Sequence, residues 1–488
     1  MKSIFSRAQH SYAQLPQEFY QKISPQVSTE PKLIEWNQPL ATFLGIELDD
    51  ASLRQRAQVF SGNLQDPKSI PLAMAYSGHQ FGHFNPGLGD GRAHVLVEVS
   101  GEDGKIYDIQ LKGSGRTQFS RGGDGRSPLG PVIREYLISE AMHALGIPTT
   151  RSLAAVETGD LVYREQPLAG GIFTRVAQSL IRIGSFEHFA ARGQVKHLKI
   201  LLEYVVKRSY PELDPRSDHL PLEFFTALSE RQARLVAKWM GLGFIHGVMN
   251  TDNSSAIGIT IDYGPCAFMD EFDEKKVFSS IDHYGRYAYQ NQAVIMQWNL
   301  ASLARALLLL YPESEQESAA QTFELKLQDF MACYQEHYAR VMSMKLGLEE
   351  KNWRQHRELI KIWMSYLQKH HLDFTLSFRN LDFLLSSEAS FPQDELLKEF
   401  VKVWKAQLFQ EEESIEKITK DLHRSNPLYI PRNHKIEQVI ESAYQGDHTP
   451  FREMLGVLSR PFTQQEGKES YSQSPKKEER ITATFCGT

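Results

Sequence analysis

Cysteine is scarce in this chain. Only Cys266, Cys333 and Cys486 occur among 488 residues, and no two of them form a Cys-x-x-Cys pair. Three thiols in so long a chain exclude a fold held by a disulfide framework, and the interior is expected to be reduced. Long hydrophobic runs are missing too. None approaches the roughly 18 apolar residues of a membrane-crossing helix, so no membrane partner is expected. The opening stretch, MKSIFSRAQHSYAQLPQEFY, lacks the apolar core of a secretory signal. Its basic, acid-poor start leaves an organelle-targeting reading open beside the cytoplasmic location, which is the expected one. An excess of one charge is also absent. The chain holds 54 Lys and Arg against 60 Asp and Glu, a formal net charge of −6. That balance exerts no global pull on nucleic acid or anionic membrane, so any basic site must be local.

Apolar material is ample. Hydrophobic residues make up 41% of the chain and charged residues 23%, an ordinary globular balance that fits roughly two to four compact units. No internal repeat is present. Residues 1–70 read as an irregular extension with a few helical patches, packed on the main body of the chain. Residues 71–185 read as a β-rich, nucleotide-binding part. Two strand-like runs, 93–99 and 107–111, flank the turn Gly101-Glu102-Asp103-Gly104 and predict a hairpin. A second Gly-rich loop, 113–130, leads through Pro131 into a helix with apolar residues at Ile133, Leu137, Ile138, Met142 and Leu145. Gly146 and Pro148 end that helix. Further strands are predicted at 152–157, 160–164 and 171–176. Residues 186–460 read as mostly helical. An amphipathic helix covers 196–208, and a capping box from Ser229 to Gln232 opens a helix through Ile245. Long helices are predicted at 291–310, 318–345 and 393–416. The polar residues of 461–488 read as a mobile tail ending in Cys486.

Chemistry concentrates at a few places. Gly87-x-Gly89-x-Gly91 precedes a strand; glycines let backbone N–H groups approach phosphate oxygens, although an ordinary turn has the same composition. It is neither a Walker A loop nor a dinucleotide fingerprint. Lys112 ends the second strand of the hairpin, and Glu135 lies on the next helix. A strand lysine after a Gly-rich hairpin, held by a helix glutamate, is the kinase arrangement. The strongest signal is HGVMNTDNSSAIGITIDYG, residues 246–264. It holds Asp252 and Asn253, a predicted strand at 257–261, then Asp262. Asn253 and Asp262, on either side of a short hairpin, offer hard oxygen donors suited to Mg²⁺ or Mn²⁺. The position of the usual kinase base, five residues before the metal-binding Asn, is Val248, which accepts no proton; Asp252 is the nearest carboxylate. Arg175 and Arg182, with Arg92, Arg116, Arg121 and Arg126, make a local basic cluster suited to phosphate. Asp124-Gly125 in the second loop also fits a plain turn. His79 and His83 stand four apart, but the glycines around them argue against a helix and a zinc site. Phe119, Tyr284 and Tyr287 read as packing residues.

These residues stand in strings that resemble the selenoprotein O family: SYAQLPQEFY, AMAYSGHQFGHFNPGLGDGRAHVL, DIQLKGSGRTQFSRGGDGR, HGVMNTDN, IDYGPCAFMDEFD, and GRYAYQNQ followed by QWNLASLARAL. The resemblance runs from about residue 11 to at least residue 310. It implies an α+β, protein-kinase-like fold of two lobes, a β-rich N-lobe and a helical C-lobe with additional C-terminal helices. It also implies a protein adenylyltransferase that binds ATP in a flipped orientation. Such an enzyme moves AMP to Ser, Thr or Tyr hydroxyls of proteins and releases pyrophosphate. Carried over residue by residue, Lys112 supported by Glu135, with Arg175 and Arg182, would hold the phosphates. Gly89, Gly91, Arg92, Asp124 and Gly125 would line the nucleotide pocket. Asp252 would accept the proton, and Asn253 and Asp262 would bind Mg²⁺ or Mn²⁺, Asp262 also facing the nucleotide. A conventional phosphotransferase and a non-catalytic ATP-binding scaffold are the competing readings. A monomer is the expected state. Two departures from the family pattern stand out: Ser254-Ser255-Ala256 after the metal Asn, and Cys266 where the family usually has Phe. A cysteine near the C-terminus is a family feature, and a disulfide between Cys266 and Cys486 is the regulatory pairing it suggests.

Overall fold

The computed structural model describes residues 3–46, 53–386, 390–409 and 414–484. It is a mixed α/β molecule with a sheet-rich region followed by a helical part. Its strands are β1 (Ala8–Gln9), β2 (Tyr20–Lys22), β3 (Lys32–Trp36), β4 (Leu72–Met74), β5 (Gly78–Gln80), β6 (His83–Asn85), β7 (Ala93–Ser100), β8 (Ile106–Lys112), β9 (Ser127–Pro128), β10 (Arg151–Tyr163), β11 (Pro167–Ala177), β12 (Phe244–Ile245) and β13 (Ala267–Phe268). The main sheet runs β2-β4-β7-β8-β11-β10-β3, with β1 paired to β7 and β9 to β11. Residues 8–36 thus supply three strands of this sheet, β2 and β3 forming its two edges.

The predicted hairpin is β7–β8, in antiparallel register from Ala93 opposite Lys112 to Ser100 opposite Ile106. The two predicted strands at 152–157 and 160–164 are one strand, β10, with an irregularity between Glu157 and Leu161 where it pairs with β11. Side chains alternate across a strand, and that alternation sets up the site. Ile109 and Leu111 of β8, with Ile172 and Val176 of β11, face a small apolar core beneath α1 (Gln38–Phe43) and α2 (Leu53–Phe60). Asp108, Gln110 and Lys112 therefore face the other side, and Phe173 and Arg175 share it, because Arg175 lies opposite Gln110.

Against that second face packs α3 (Leu129–Ala144), whose buried residues include Ile133, Leu137 and Met142. A single apolar core continues from there into the helical part. That part contains α4 (Ile183–Ala190), α5 (Val195–Ser209), α6 (Leu220–Leu242), α7 (Gln292–Leu308), α8 (Gln316–Lys345), α9 (Trp353–His370), α10 (Phe374–Arg379), α11 (Phe383–Ser386), α12 (Glu395–Leu408), α13 (Ile415–Ser425), α14 (Asn433–Tyr444) and α15 (Thr449–Leu458). Helices expected at 291–310 and 318–345 are α7 and α8. The one expected at 393–416 is α12, which ends at Leu408; residues 410–413 lie outside the described residues.

Two local expectations fail. Ser229 and Gln232 do not cap a helix; they sit inside α6, which starts earlier, with Pro221 in its first turn. Gly243, at φ +68°, closes α6, and Phe244–Ile245 leave as β12. Gln232 instead donates to the Ser255 carbonyl at 2.7 Å. The stretch 257–261 is not a strand. Its backbone meets two other segments at isolated bridges: Ser254 and Ala256, just before it, bond to Ile183 N at 2.8 Å and Ile181 O at 2.9 Å, and Thr260 bonds to Pro148 O at 2.9 Å and Thr150 N at 3.0 Å. Such scattered partners satisfy the backbone without a ladder. The polar tail makes contacts with the body as far as it is described. Ser474 donates to Asp373, Arg480 pairs with Glu271, and the Thr484 hydroxyl donates to the Pro265 carbonyl at 2.6 Å.

Candidate active site

A cavity of about 1340 Å³ opens between the second face of the sheet, α3 and the loops that follow α6. Lys112, Glu135, Arg175, Arg182, Asp252, Asn253 and Asp262 all line it, as do Gly89, Gly91, Arg92, Asp124 and Gly125. The chain brings these residues together from four separate stretches. Arg116, Arg121 and Arg126 line it as well, so the basic cluster is local within an acidic chain.

Asp262 is the hub. Its Oδ1 accepts from Lys112 Nζ at 2.7 Å and from Arg175 Nη2 at 2.7 Å. Its Oδ2 accepts from Arg182 Nη2 at 3.4 Å. Burial works to raise this carboxyl, but Arg175, Lys112 and Arg182 outweigh it and hold Asp262 well below the usual carboxylate range. Its backbone adopts φ +63°, the left-handed region uncommon for a non-glycine residue. Glu135 sits behind the hub. One oxygen accepts from Lys112 at 2.7 Å and the other pairs with Arg175. Arg175 and Arg182 are almost fully buried, at 1% and 2% exposure. Arg182 also stacks over the Tyr76 ring at 4.2 Å.

Asp252 lies on a one-turn helix, Thr251–Asn253. Its Oδ2 accepts from Gln80 Nε2 at 3.1 Å, while Oδ1 is buried with no hydrogen-bond partner. Burial pushes the carboxyl up to about 6, against a smaller lowering by Arg182. Asn253 donates its Nδ2 to the Val248 carbonyl at 3.1 Å, which fixes the amide and leaves Oδ1 as its acceptor. The donor set of Asn253, Asp262 and Asp252 is all oxygen, and Asp262 is held ionised. This set fits a hard divalent cation.

The Gly-rich loops are close-packed. A Cβ at Gly89 would meet the Phe119 ring at 2.4 Å, so Phe119 is the packing residue expected. Asp124 accepts from the Arg126 amide at 2.9 Å and pairs with Arg164 at 2.8 Å. Hydrogen bonding from Arg164 holds Asp124 below the usual carboxylate range. Arg92 Nη1 and Arg126 Nη1 are buried with no acceptor in reach.

Several residues were not singled out from the sequence. Asp90, between Gly89 and Gly91, accepts from Gln110 Nε2 at 3.0 Å and from the Met74 amide at 3.1 Å, and lies 3.5 Å from Arg182. Its place inside the glycine run was the available signal. Gln80 had no such signal; it belongs to the β5–β6 hairpin, which bends over the Asp252 loop. The Phe81 amide, just after β5, donates to Asn250 Oδ1 at 3.2 Å. His79 makes no zinc pair with His83; its Nδ1 lies 2.5 Å from Glu187 Oε1, and the His79 amide donates to Thr251 Oγ1 at 2.7 Å. Tyr287 is buried and donates to Asn250 at 2.6 Å, whereas Tyr284, expected to pack, is 99% exposed. Cys266 is buried beside the anchor point of Thr484, and Cys486 lies outside the described residues.

Comparison with known proteins agrees across nearly the whole chain. A family model described as "Protein adenylyltransferase SelO" matches residues 4–459. The chain is similar to a protein named "Protein nucleotidyltransferase YdiU" from Rhizobium etli, 48% identical over 487 residues, covering 98% of this chain and 97% of that one. A protein of the same name from Rhizobium meliloti is 46% identical over 494 residues, with 99% of each chain covered. Another, from Maridesulfovibrio salexigens, is 46% identical over 485 residues, with 98% of each covered.

Proposed function

The chain belongs to the protein adenylyltransferase SelO family, and from that premise we propose that it transfers AMP from ATP to Ser, Thr or Tyr hydroxyls of proteins. The observation that carries this reading is the pairing of Val248, where a kinase keeps its base, with Asp252 close by, holding a buried, unpartnered oxygen. A base moved along the loop suits a nucleotide turned end for end in a kinase-like, two-lobed cleft. The α-phosphate then faces Asp252.

In this reading the substrate hydroxyl oxygen attacks Pα, the Pα–O–Pβ bond breaks, and pyrophosphate leaves. The hydroxyl proton passes to Asp252. A carboxyl raised to about 6 is ionised at neutral pH yet basic enough to take that proton in the transition state. Gln80 orients the carboxylate through Oδ2. Lys112, Arg175 and Arg182 bind the phosphates, and Asp262 is their counter-ion before nucleotide arrives. Glu135 keeps Lys112 and Arg175 in position. Fixed cations in a largely buried site stabilise developing charge without reorganising. Asn253 and Asp262 are the protein ligands for Mg²⁺ or Mn²⁺, which would supply charge neutralisation of the phosphates. The loops carrying Gly89, Gly91, Arg92, Asp124 and Gly125 close over the nucleotide.

Incubation with ATP labelled separately at the α- and γ-phosphates tests the reaction. Label retained on protein from the α position is expected; label retained only from γ overturns the proposal in favour of a conventional phosphotransferase. Asp262→Ala is expected to abolish transfer, and near-wild-type labelling by that variant would refute the ligand assignment.

A redox control fits the same reading. Thr484 is anchored to Pro265, next to Cys266, two residues before Cys486. Oxidation by a disulfide such as oxidised glutathione would join the two thiols, with two electrons and two protons passing to the oxidant. A non-reducing peptide map of the oxidised protein is expected to contain the Cys266–Cys486 pair; a map without it removes the control.

A further inference from the structure

Away from the cavity, the packed surfaces of α6 and α8 bring a thiol, an imidazole and a carboxylate together. Cys333 and His337 stand four residues apart on α8, a spacing that sets both on one helix face. Glu230 of α6 meets them with both of its oxygens. Cys333 Sγ donates to Oε2 at 2.7 Å, and His337 Nε2 lies 2.7 Å from Oε1. One ligand atom from each of the three residues lies within 4.8 Å of the others. None of the three lines the cavity. We propose that Glu230, Cys333 and His337 form a second metal site, one that takes a single Zn²⁺ ion and staples α6 to α8.

The donor set argues for the metal. Sulfur, nitrogen and oxygen together suit zinc, whereas Mg²⁺ and Ca²⁺ take oxygen alone. Zinc bonds of about 2.0–2.3 Å put ligand atoms of a tetrahedral site about 3.3–3.8 Å apart. The hydrogen-bonded atoms stand closer than that, so rotation of the long Glu230 side chain opens the site without moving either helix. Charge balances as well: one thiolate and one carboxylate neutralise the dication, and water completes the shell. The thiol proton leaves to solvent on binding. Burial and the neighbouring Glu230 push the apo thiol up to about 12, so in the free protein Cys333 is a neutral donor and the ion must displace its proton. The site has an entry path, since the Glu230 side chain is 45% exposed. Arg234 donates to Glu230 Oε1 at 3.2 Å and orients it from outside, and Glu336 adds a negative charge beside Cys333.

The test uses the full-length, reduced protein in excess Mg²⁺, which occupies hard oxygen sites, with Co²⁺ as the probe. A thiolate-to-cobalt charge-transfer band is expected, saturating at one equivalent and erased by one equivalent of Zn²⁺. Cys333→Ser should remove the band, and His337→Ala should weaken cobalt binding by at least about tenfold. Cys266→Ser and Cys486→Ser should leave the band intact. One equivalent of Zn²⁺ should raise the Tm of the parent protein and not that of the Cys333→Ser variant. A missing band, a band that survives Cys333→Ser, or equal stabilisation of both proteins overturns the site. The readout is independent of nucleotide transfer, so it stands or falls apart from the proposed reaction.

Discussion

Asp252, buried, and Asp262, half-buried, stand ten residues apart in one segment and are pushed in opposite directions. Asp262 faces three cations and stays ionised; Asp252 has one distant cation and one amide, so burial prevails. In the unfolded chain an aspartate titrates near 4. Between about pH 4 and 6 the folded protein therefore holds a proton at Asp252 that the unfolded chain has released. Stability from this group falls as pH rises through that window, a cost of up to about 3 kcal/mol at pH 7. Asp252→Asn is expected to raise the Tm at pH 7, with the gain shrinking toward pH 4, while transfer falls by about a hundredfold or more. Melts at the two pH values and a labelling assay check both halves. The acid limb of wild-type kcat/KM, which reports the free enzyme, is expected near pH 6. Gln80→Leu removes the amide that lowers Asp252, so that limb should move to higher pH; an unmoved limb would give Gln80 a packing role only.

At the scale of elements, the strand alternation of β8 and β11 delivers Lys112 and Arg175 to the same side, and α3 adds Glu135 from above. These are regular structures, and their side-chain directions follow from register. The loop 113–126 is different, because its shape depends on backbone crossing backbone. Gly125 has φ +70°, and a Cβ there would lie 2.2 Å from the Gly115 carbonyl carbon. Gly125→Ala forces the loop open at a cost of at least about 1–2 kcal/mol from the dihedral alone. Because the loop borders the cavity and not the core, nucleotide binding should weaken by roughly tenfold or more while the fold persists. A nucleotide isotherm beside a thermal melt separates the two effects.

Across the whole molecule, the C-terminal helices are tied back by a buried charge. Arg432 is fully buried and pairs with Asp270 at 2.6 Å and Asp373 at 2.9 Å, linking the start of α14 to the loop after β13 and to the cap of α10. Removing one partner of a buried pair leaves the others uncompensated, typically a loss of about 3–5 kcal/mol. Arg432→Met should lower the denaturation midpoint accordingly, in urea titrations followed by far-ultraviolet circular dichroism. A change under about 1 kcal/mol would mean that the two carboxylates find other partners.

Much of the site was legible in sequence because its signals are local. Glycines announce backbone that must come close, a lysine at a strand end and a glutamate on the following helix keep their order, and Asp252, Asn253 and Asp262 share one short segment. Element types were also readable wherever period 2 or 3.6 ran unbroken, as in β7, β8, α3, α7 and α8. Tertiary structure decided the rest. A short apolar run such as 257–261 has no period of its own, and its backbone pairs only at one isolated bridge, with the segment 148–150. Ser229 and Gln232 spell a cap, yet Pro221 and Gly243 set the ends of that helix. Asp90, Gln80 and the Cys333–His337–Glu230 cluster gain their meaning only from residues far away in the chain. Burial and charge at a point are sums over neighbours in space, and sequence order alone does not name those neighbours.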